Sequence, residues 1–321
     1  MMEKVKNIMT AVAVGDAMGM PTEFMTRAAI KEKVGLPDRL LLPEESEKHP
    51  NLPHATVTDD TEQNLWMYRL YREKGRVDVT ETALSLLDWA DKTGAAEKKY
   101  IGPSSLRALN AIKEGEDPNK AGIFGTTCGG IMRTPAVVLY KEHANEDELA
   151  EDIRNCLVCT HNTSEALEAA GAYGFALYAA MHGATAQQVY EAAIRGGEKL
   201  MAMAPWQNAA PSSVERLKLA YKMSNMMTDE ALMDYVYDIM GAGLPSADVA
   251  GAVFAIFFTA GEDVWRAIRL GAGLGGDTDT VAALAAALCA AFAGGKLNIP
   301  AEITDAVLAA NPVLSGTPWE N

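Results

Sequence analysis

Two stretches of this 321-residue chain, Ala247–Ala260 ("ADVAGAVFAIFFTA") and Val281–Ala293 ("VAALAAALCAAFA"), are apolar nearly all the way round when wound as helices. A helix with no polar face cannot lie on a surface, so other helices must enclose both. Val281–Gly295 spans only about 15 residues, short of the roughly 20 needed to cross a bilayer, and reads as a core helix. The rest of the chain supplies the enclosing layer. Val5, Ile8, Met9, Val12 and Ala13 fall on one helical face, as do Leu65, Trp66, Leu70 and Tyr71. Segments such as "TETALSLLDWADKTG", "TSEALEAAGAYGFALYAAMHG" and "TDEALMDYVYDIMG" open on a polar cap and run into a helical stripe. Strand-like alternation is almost absent. There is no repeat period and no Pro/Gly/Ser-rich linker. The sequence predicts an all-α fold, a single compact multi-helix domain over residues 1–321. Gly35–Val57, Gly115–Pro135 and Ala204–Ser213 are the least regular stretches, and the first two are expected to line a site.

Composition narrows the function. A hydrophobic fraction of 49% allows a large core, and with only 7% aromatics that core must be built from small and aliphatic side chains. A net charge of −15 argues against nucleic acid or an anionic membrane as partner. It suits a protein that gathers carboxylates around a cation. The chain opens without a signal-peptide pattern, and the four cysteines, Cys128, Cys156, Cys159 and Cys289, show no disulfide framework. The expectation is a cytoplasmic protein with free thiols, Cys156 and Cys159 sharing one turn of a helix.

Two acidic motifs stand out. "VTDDTEQNLWM" sets Asp59 and Asp60 between Thr58 and Thr61, and "GLGGDTDTVAAL" sets Asp277 and Asp279 beside Thr278 and Thr280. Each lies where a helix begins, and either alone reads as capping. Together they place four aspartates at the mouths of apolar helices, where carboxylates resist desolvation unless a cation pairs with them. Asp and Thr offer only oxygen, the ligand chemistry of Mg²⁺, Mn²⁺ or Ca²⁺. No His or Cys lies in either motif, which argues against zinc. The motifs therefore point to a carboxylate-bound hard-metal site, with room for a pair of ions sharing ligands. The Gly-rich lead-in Gly271–Gly276 lacks the G-K-[ST] ending and the preceding strand of a phosphate loop. It reads instead as backbone left bare for close approach.

Taken together, "AVGDAMGMPTEF", "VTDDTEQ", "GGIMRTPA", "CTHNTSEAL" and "GLGGDTDT" resemble the ADP-ribosylglycohydrolase superfamily, in the family's order from Val12 to Leu288. "GDAMGMPTEFMT" is similar to the branch of the dinitrogenase reductase-activating glycohydrolase. The resemblance implies two Mg²⁺ or Mn²⁺ ions. Thr58, Asp59 and Asp60 would bind one, Asp277 and Thr280 the other, and Asp279 would bridge them. It implies catalytic roles for Glu23, Asp60 and Asp279, with Glu23 positioning substrate and helping to activate water. The loop holding Gly125, Cys128, Gly129, Gly130, Met132 and Arg133 would offer amides to a pyrophosphate, and His161 would lie at the substrate cleft. Cleavage at an anomeric carbon passes through an oxocarbenium-like state that nearby carboxylates stabilise.

The chain departs from the family's pattern in that loop. Cys128 stands where the family has asparagine and Thr127 where it has glycine. Three functions follow: removal of ADP-ribose from a protein side chain, most plausibly arginine; N-glycoside hydrolysis of a small ribosylated metabolite, nucleoside or ADP-ribose derivative; or non-catalytic binding of ADP-ribose. An extended acidic or aromatic rim would favour the first. A pocket closed by Gly35–Val57 would favour the second.

Overall fold

Small residues decide how closely the central helices approach. In a computed structural model describing residues 2–98, 100–224 and 226–314, helix Met2–Gly19 lies directly against helix Thr278–Phe292. A Cβ added at Gly15 would fall 2.6 Å from the Ala282 carbonyl oxygen, and one at Gly19 would fall 2.4 Å from that of Thr278. Gly271, on helix Val264–Leu274, meets Ala282 from another side, where a Cβ would lie 2.5 Å from its Cα. The backbones touch, and no larger side chain fits at these three positions.

The described residues form helices throughout, with no strand among them beyond one isolated bridge between Thr127 and Pro245. The fold is all-α, as the apolar periodicity predicts. Helices Ser246–Ala260 and Thr278–Phe292 are buried almost along their whole lengths, and helix Ser164–Met181 packs beside both. Among the described residues, no helix is long and apolar enough to cross a membrane. All four cysteines are buried free thiols.

The structure adds helices that were not expected from the sequence. Arg27–Lys33 and Pro103–Lys113 are helical, and helix Gly129–Leu139 occupies the end of the stretch read as irregular. Pro135 inside that last helix disguises it, because proline removes a backbone donor and crowds the preceding turn. The repair comes from helix Asp59–Lys74. Asn64 Oδ1 accepts from Ala136 N at 2.9 Å, and Asn64 Nδ2 donates to Met132 O at 2.7 Å. Those two backbone groups would otherwise bond each other. The amide of Asn64 is thus inserted into the opened turn and ties the two helices together one turn from Asp60.

Candidate active site

The two acidic motifs converge. Asp59, Asp60, Asp277, Asp279 and Thr280 line one cleft of about 80 Å³ together with Glu23, Cys128, Gly129 and Met132. Each comes from the start of a helix or from a turn pinned to one. Gly276, at φ +79°, has no room for a side chain, since a Cβ would lie 1.9 Å from Ala242 O. Asp277 N then donates to that same carbonyl at 2.8 Å. On the other side, Thr22 Oγ1 and Thr278 Oγ1 both donate to Gly19 O, at 2.9 and 2.8 Å, locking the turn after the first helix to the second motif.

The capping explanation does not survive the geometry. Thr58 and Asp277 occupy the cap positions of helices Asp59–Lys74 and Thr278–Phe292, yet neither side chain caps its helix. The first helix is capped from elsewhere, by Asp16 of helix Met2–Gly19. Its fully buried carboxylate accepts from Thr58 N at 2.9 Å, Thr58 Oγ1 at 2.9 Å, Thr61 N at 3.1 Å and Thr61 Oγ1 at 2.6 Å. Burial raises the Asp16 pKa to about 6 against the opposing pull of these bonds. Asp16 belongs to the "GDAMG" motif, but sequence reasoning gave it no role. Its only signal was an acidic residue on an otherwise apolar helix face.

With capping done by Asp16, the site carboxylates are left under-partnered. Asp60 Oδ2 accepts from Thr280 Oγ1 at 3.2 Å, while Asp60 Oδ1 is buried with no partner. Asp277 Oδ2 is likewise buried and unpartnered. Asp59 Oδ2 accepts from Gln63 Nε2 at 3.0 Å. One oxygen each from Glu23, Asp277 and Asp279 lies within 4.8 Å of the others. Burial first, then neighbouring carboxylates, holds the pKa of Asp59, Asp60 and Asp279 well above the usual range. Asp277 is raised too, again chiefly by burial. Orphaned, crowded, all-oxygen donors in a dry setting are what a hard divalent cation satisfies, and the residue set fits such an ion.

Other residues singled out in the sequence lie outside the cleft lining. Thr58 is buried with its hydroxyl turned to Asp16. Arg133 is fully buried, donating to Thr160 Oγ1 at 2.6 Å and to Cys156 O at 3.3 Å. His161 is held by Thr127 Oγ1 at 3.0 Å and Thr160 Oγ1 at 2.8 Å, and burial depresses its pKa well below the usual value. Its ring supports Gly129, where an added Cβ would lie 2.9 Å from Cε1. Gly125 and Gly130 pack against Thr160 and Leu157. Cys128, by contrast, does line the cleft: its Sγ sits 3.9 Å from Thr280 Oγ1, and burial followed by the charge of Asp277 pushes its thiol pKa well up. The structure also brings in Tyr100, Phe24 from the end of the "AVGDAMGMPTEF" motif, and Lys48 from the Gly35–Val57 stretch expected to line a site, none of them singled out in the sequence. Tyr100 is fixed by a 2.8 Å bond to Glu62, which also accepts from Trp89 Nε1 at 2.9 Å.

The site is thus an enclosed cleft in an all-helical globule, faced by paired acidic helix starts whose carboxylates could hold a cation. The model of the ADP-ribosylglycohydrolase family matches residues 1–315, and the chain belongs to that family of hydrolases. The uncharacterized protein YegU of Escherichia coli K12 is 29% identical over 306 residues, covering 93% of this chain and 90% of that protein. ADP-ribosylarginine hydrolase Tri1 of Pseudomonas putida GB-1 is 25% identical over 306 residues, covering 91% of this chain and 71% of that protein. A solved structure, an ADP-ribosylglycohydrolase-related protein complex, shares the fold with a TM-score of 0.69 at 23% identity, covering 98% of this chain and 97% of that one.

Proposed function

We propose that the protein is a metal-dependent N-glycosidase that releases ADP-ribose from arginine side chains of proteins. The observation that carries the metal dependence is the pair of buried, unpartnered oxygens Asp60 Oδ1 and Asp277 Oδ2, one from each acidic motif. The arginine assignment is supported by similarity to two proteins named ADP-ribosylarginine hydrolase Tri1, at 25% and 24% identity. Asp59, Asp60, Asp277, Asp279 and Thr280, all in the cleft lining, would hold two Mg²⁺ or Mn²⁺ ions with Asp279 shared, while Thr58, its hydroxyl committed to Asp16, anchors the turn behind them. Bound there, such ions supply Lewis acidity that acidifies water and fixes ribose hydroxyls.

The chain's own residues do the rest. Asp16 holds the Thr58–Thr61 turn so that Asp59 and Asp60 present their carboxylates to the cleft. Glu23 lies beside Asp277 and Asp279, placed to position the substrate in the cleft. The carboxylates lining the cleft stabilise positive charge developing at the anomeric carbon. Helix Gly129–Leu139 starts at the cleft without a side-chain cap, so its first amides are available to a substrate phosphate.

The test is release of free ADP-ribose from an ADP-ribosyl-arginine peptide with Mn²⁺ or Mg²⁺ and with chelator. Metal-dependent release is expected. Metal bound without release would overturn the arginine assignment and move the substrate to a small ribosylated metabolite.

A further inference from the structure

We propose that Glu23 and Phe24 form a subsite for a cationic leaving group, and that Lys48 plugs this subsite in the free enzyme as an internal stand-in. The inference deepens the arginine reading and rests on it.

Lys48 Nζ donates to Glu23 Oε1 at 2.6 Å and lies 3.7 Å from the centroid of the Phe24 ring. A carboxylate beside an aromatic face is the recognition set for a guanidinium or ammonium group. His49 Nε2 lies 2.5 Å from the other oxygen, Glu23 Oε2, and fixes the carboxyl so that Oε1 is offered to the cation. Phe24 reaches its place at a cost. Its φ of +58° lies in the left-handed region that bulky residues avoid, and the residue is 42% exposed, so core packing does not explain it. The strained residue is clamped to the second acidic motif. Phe24 N donates to Gly276 O at 2.7 Å, and Gly276 N donates to Met25 O at 3.1 Å. The aromatic face is therefore held in fixed register with Asp277.

Lys48 is the one cation among the described residues lining the metal cleft. It is also shared with a neighbouring groove of about 600 Å³ walled by residues including Pro50, Leu52, Glu97 and Lys98. Displacing its ammonium group would join cleft and groove, giving a peptide acceptor a path away from the scissile bond. The Lys48 side chain is one-third exposed while Glu23 is buried, so the ammonium group can withdraw into water and leave a buried carboxylate that needs a replacement cation.

The experiment titrates methylguanidine into the Mn²⁺-loaded enzyme by NMR, in the wild type, Lys48→Met and Phe24→Leu, with neutral urea as control. Removing the internal competitor should tighten methylguanidine about tenfold, and removing the aromatic face should weaken it about threefold or more. Urea should show neither change. Lys48→Gln, checked by its melting curve, repeats the first arm should the methionine variant misfold. Unchanged methylguanidine affinity in both Lys48 variants would overturn the proposal. No ADP-ribosylated substrate enters this assay, so its outcome separates from that of the arginine reading. An enzyme that releases ADP-ribose but shows no gain in the Lys48 variants loses the plug alone. One that shows the gain but releases no ADP-ribose keeps the cation subsite and loses the arginine reading.

Discussion

Asp16→Ala tests whether one buried carboxylate sets up the acidic cleft from behind. The substitution leaves Thr58 N, Thr61 N and both threonine hydroxyls without their acceptor in a fully buried place. Each buried donor left unmade costs about 1–3 kcal/mol, and a water entering the void recovers part of that. The net loss should be about 3–5 kcal/mol, a large fraction of the roughly 5–15 kcal/mol that stabilises a typical domain. Asp16→Asn should lose roughly half as much, because the amide keeps one acceptor oxygen but turns an NH₂ against a donor. The assay is urea denaturation in chelator, with Mn²⁺ affinity measured on the same variants below the transition. Mn²⁺ affinity should fall at least tenfold in Asp16→Ala, since the turn carrying Asp59 and Asp60 loses its anchor. A variant within about 0.5 kcal/mol of wild type, binding Mn²⁺ normally, would refute the reasoning.

Three further outcomes are expected. Asp16, with its pKa raised to about 6, and Asp59, Asp60, Asp277 and Asp279, all shifted upward, contribute stability that is full below the unfolded carboxylate value near 3.8. That contribution is lost as pH rises through the folded values, so the chelated protein should melt lower at pH 8 than at pH 5, and added Mn²⁺ should reverse the trend. Asp279→Ala should abolish both metal binding and hydrolysis, more severely than Glu23→Ala, as read by calorimetry and ADP-ribose release. Normal turnover would exclude a bridging role. Cys128→Asn should raise activity on ADP-ribose substrates if the altered loop sets specificity, and unchanged kinetics across substrates would make the thiol incidental.

The fold was largely legible because its strongest determinants are local. Apolar runs such as Ala247–Ala260 have no polar face and can only be interior, and polar caps mark most helix starts. The helix Gly129–Leu139 was hidden because Pro135 breaks the local rule and the repair by Asn64 comes from 72 residues away. The acidic motifs were legible for a related reason: paired carboxylates at apolar helix mouths conflict with burial, and that conflict marks a site. Asp16 was not legible, because its role depends on four donors in a segment more than 40 residues away. Lys48 and Phe24 were legible only as members of longer stretches, the irregular Gly35–Val57 and the motif that ends at Phe24. A lysine in an irregular stretch reads as solvated, and a positive φ is invisible in a sequence.

The central claim is that the cleft is a two-ion centre for a hard divalent metal. Its most direct test is Mn²⁺ uptake by chelator-stripped protein, followed through loss of the free-Mn²⁺ electron paramagnetic resonance signal. The account predicts two Mn²⁺ per chain in the wild type, with a deficit in both Asp60→Asn and Asp277→Asn. A wild type that binds no Mn²⁺, or variants that bind as well as it does, would contradict the account.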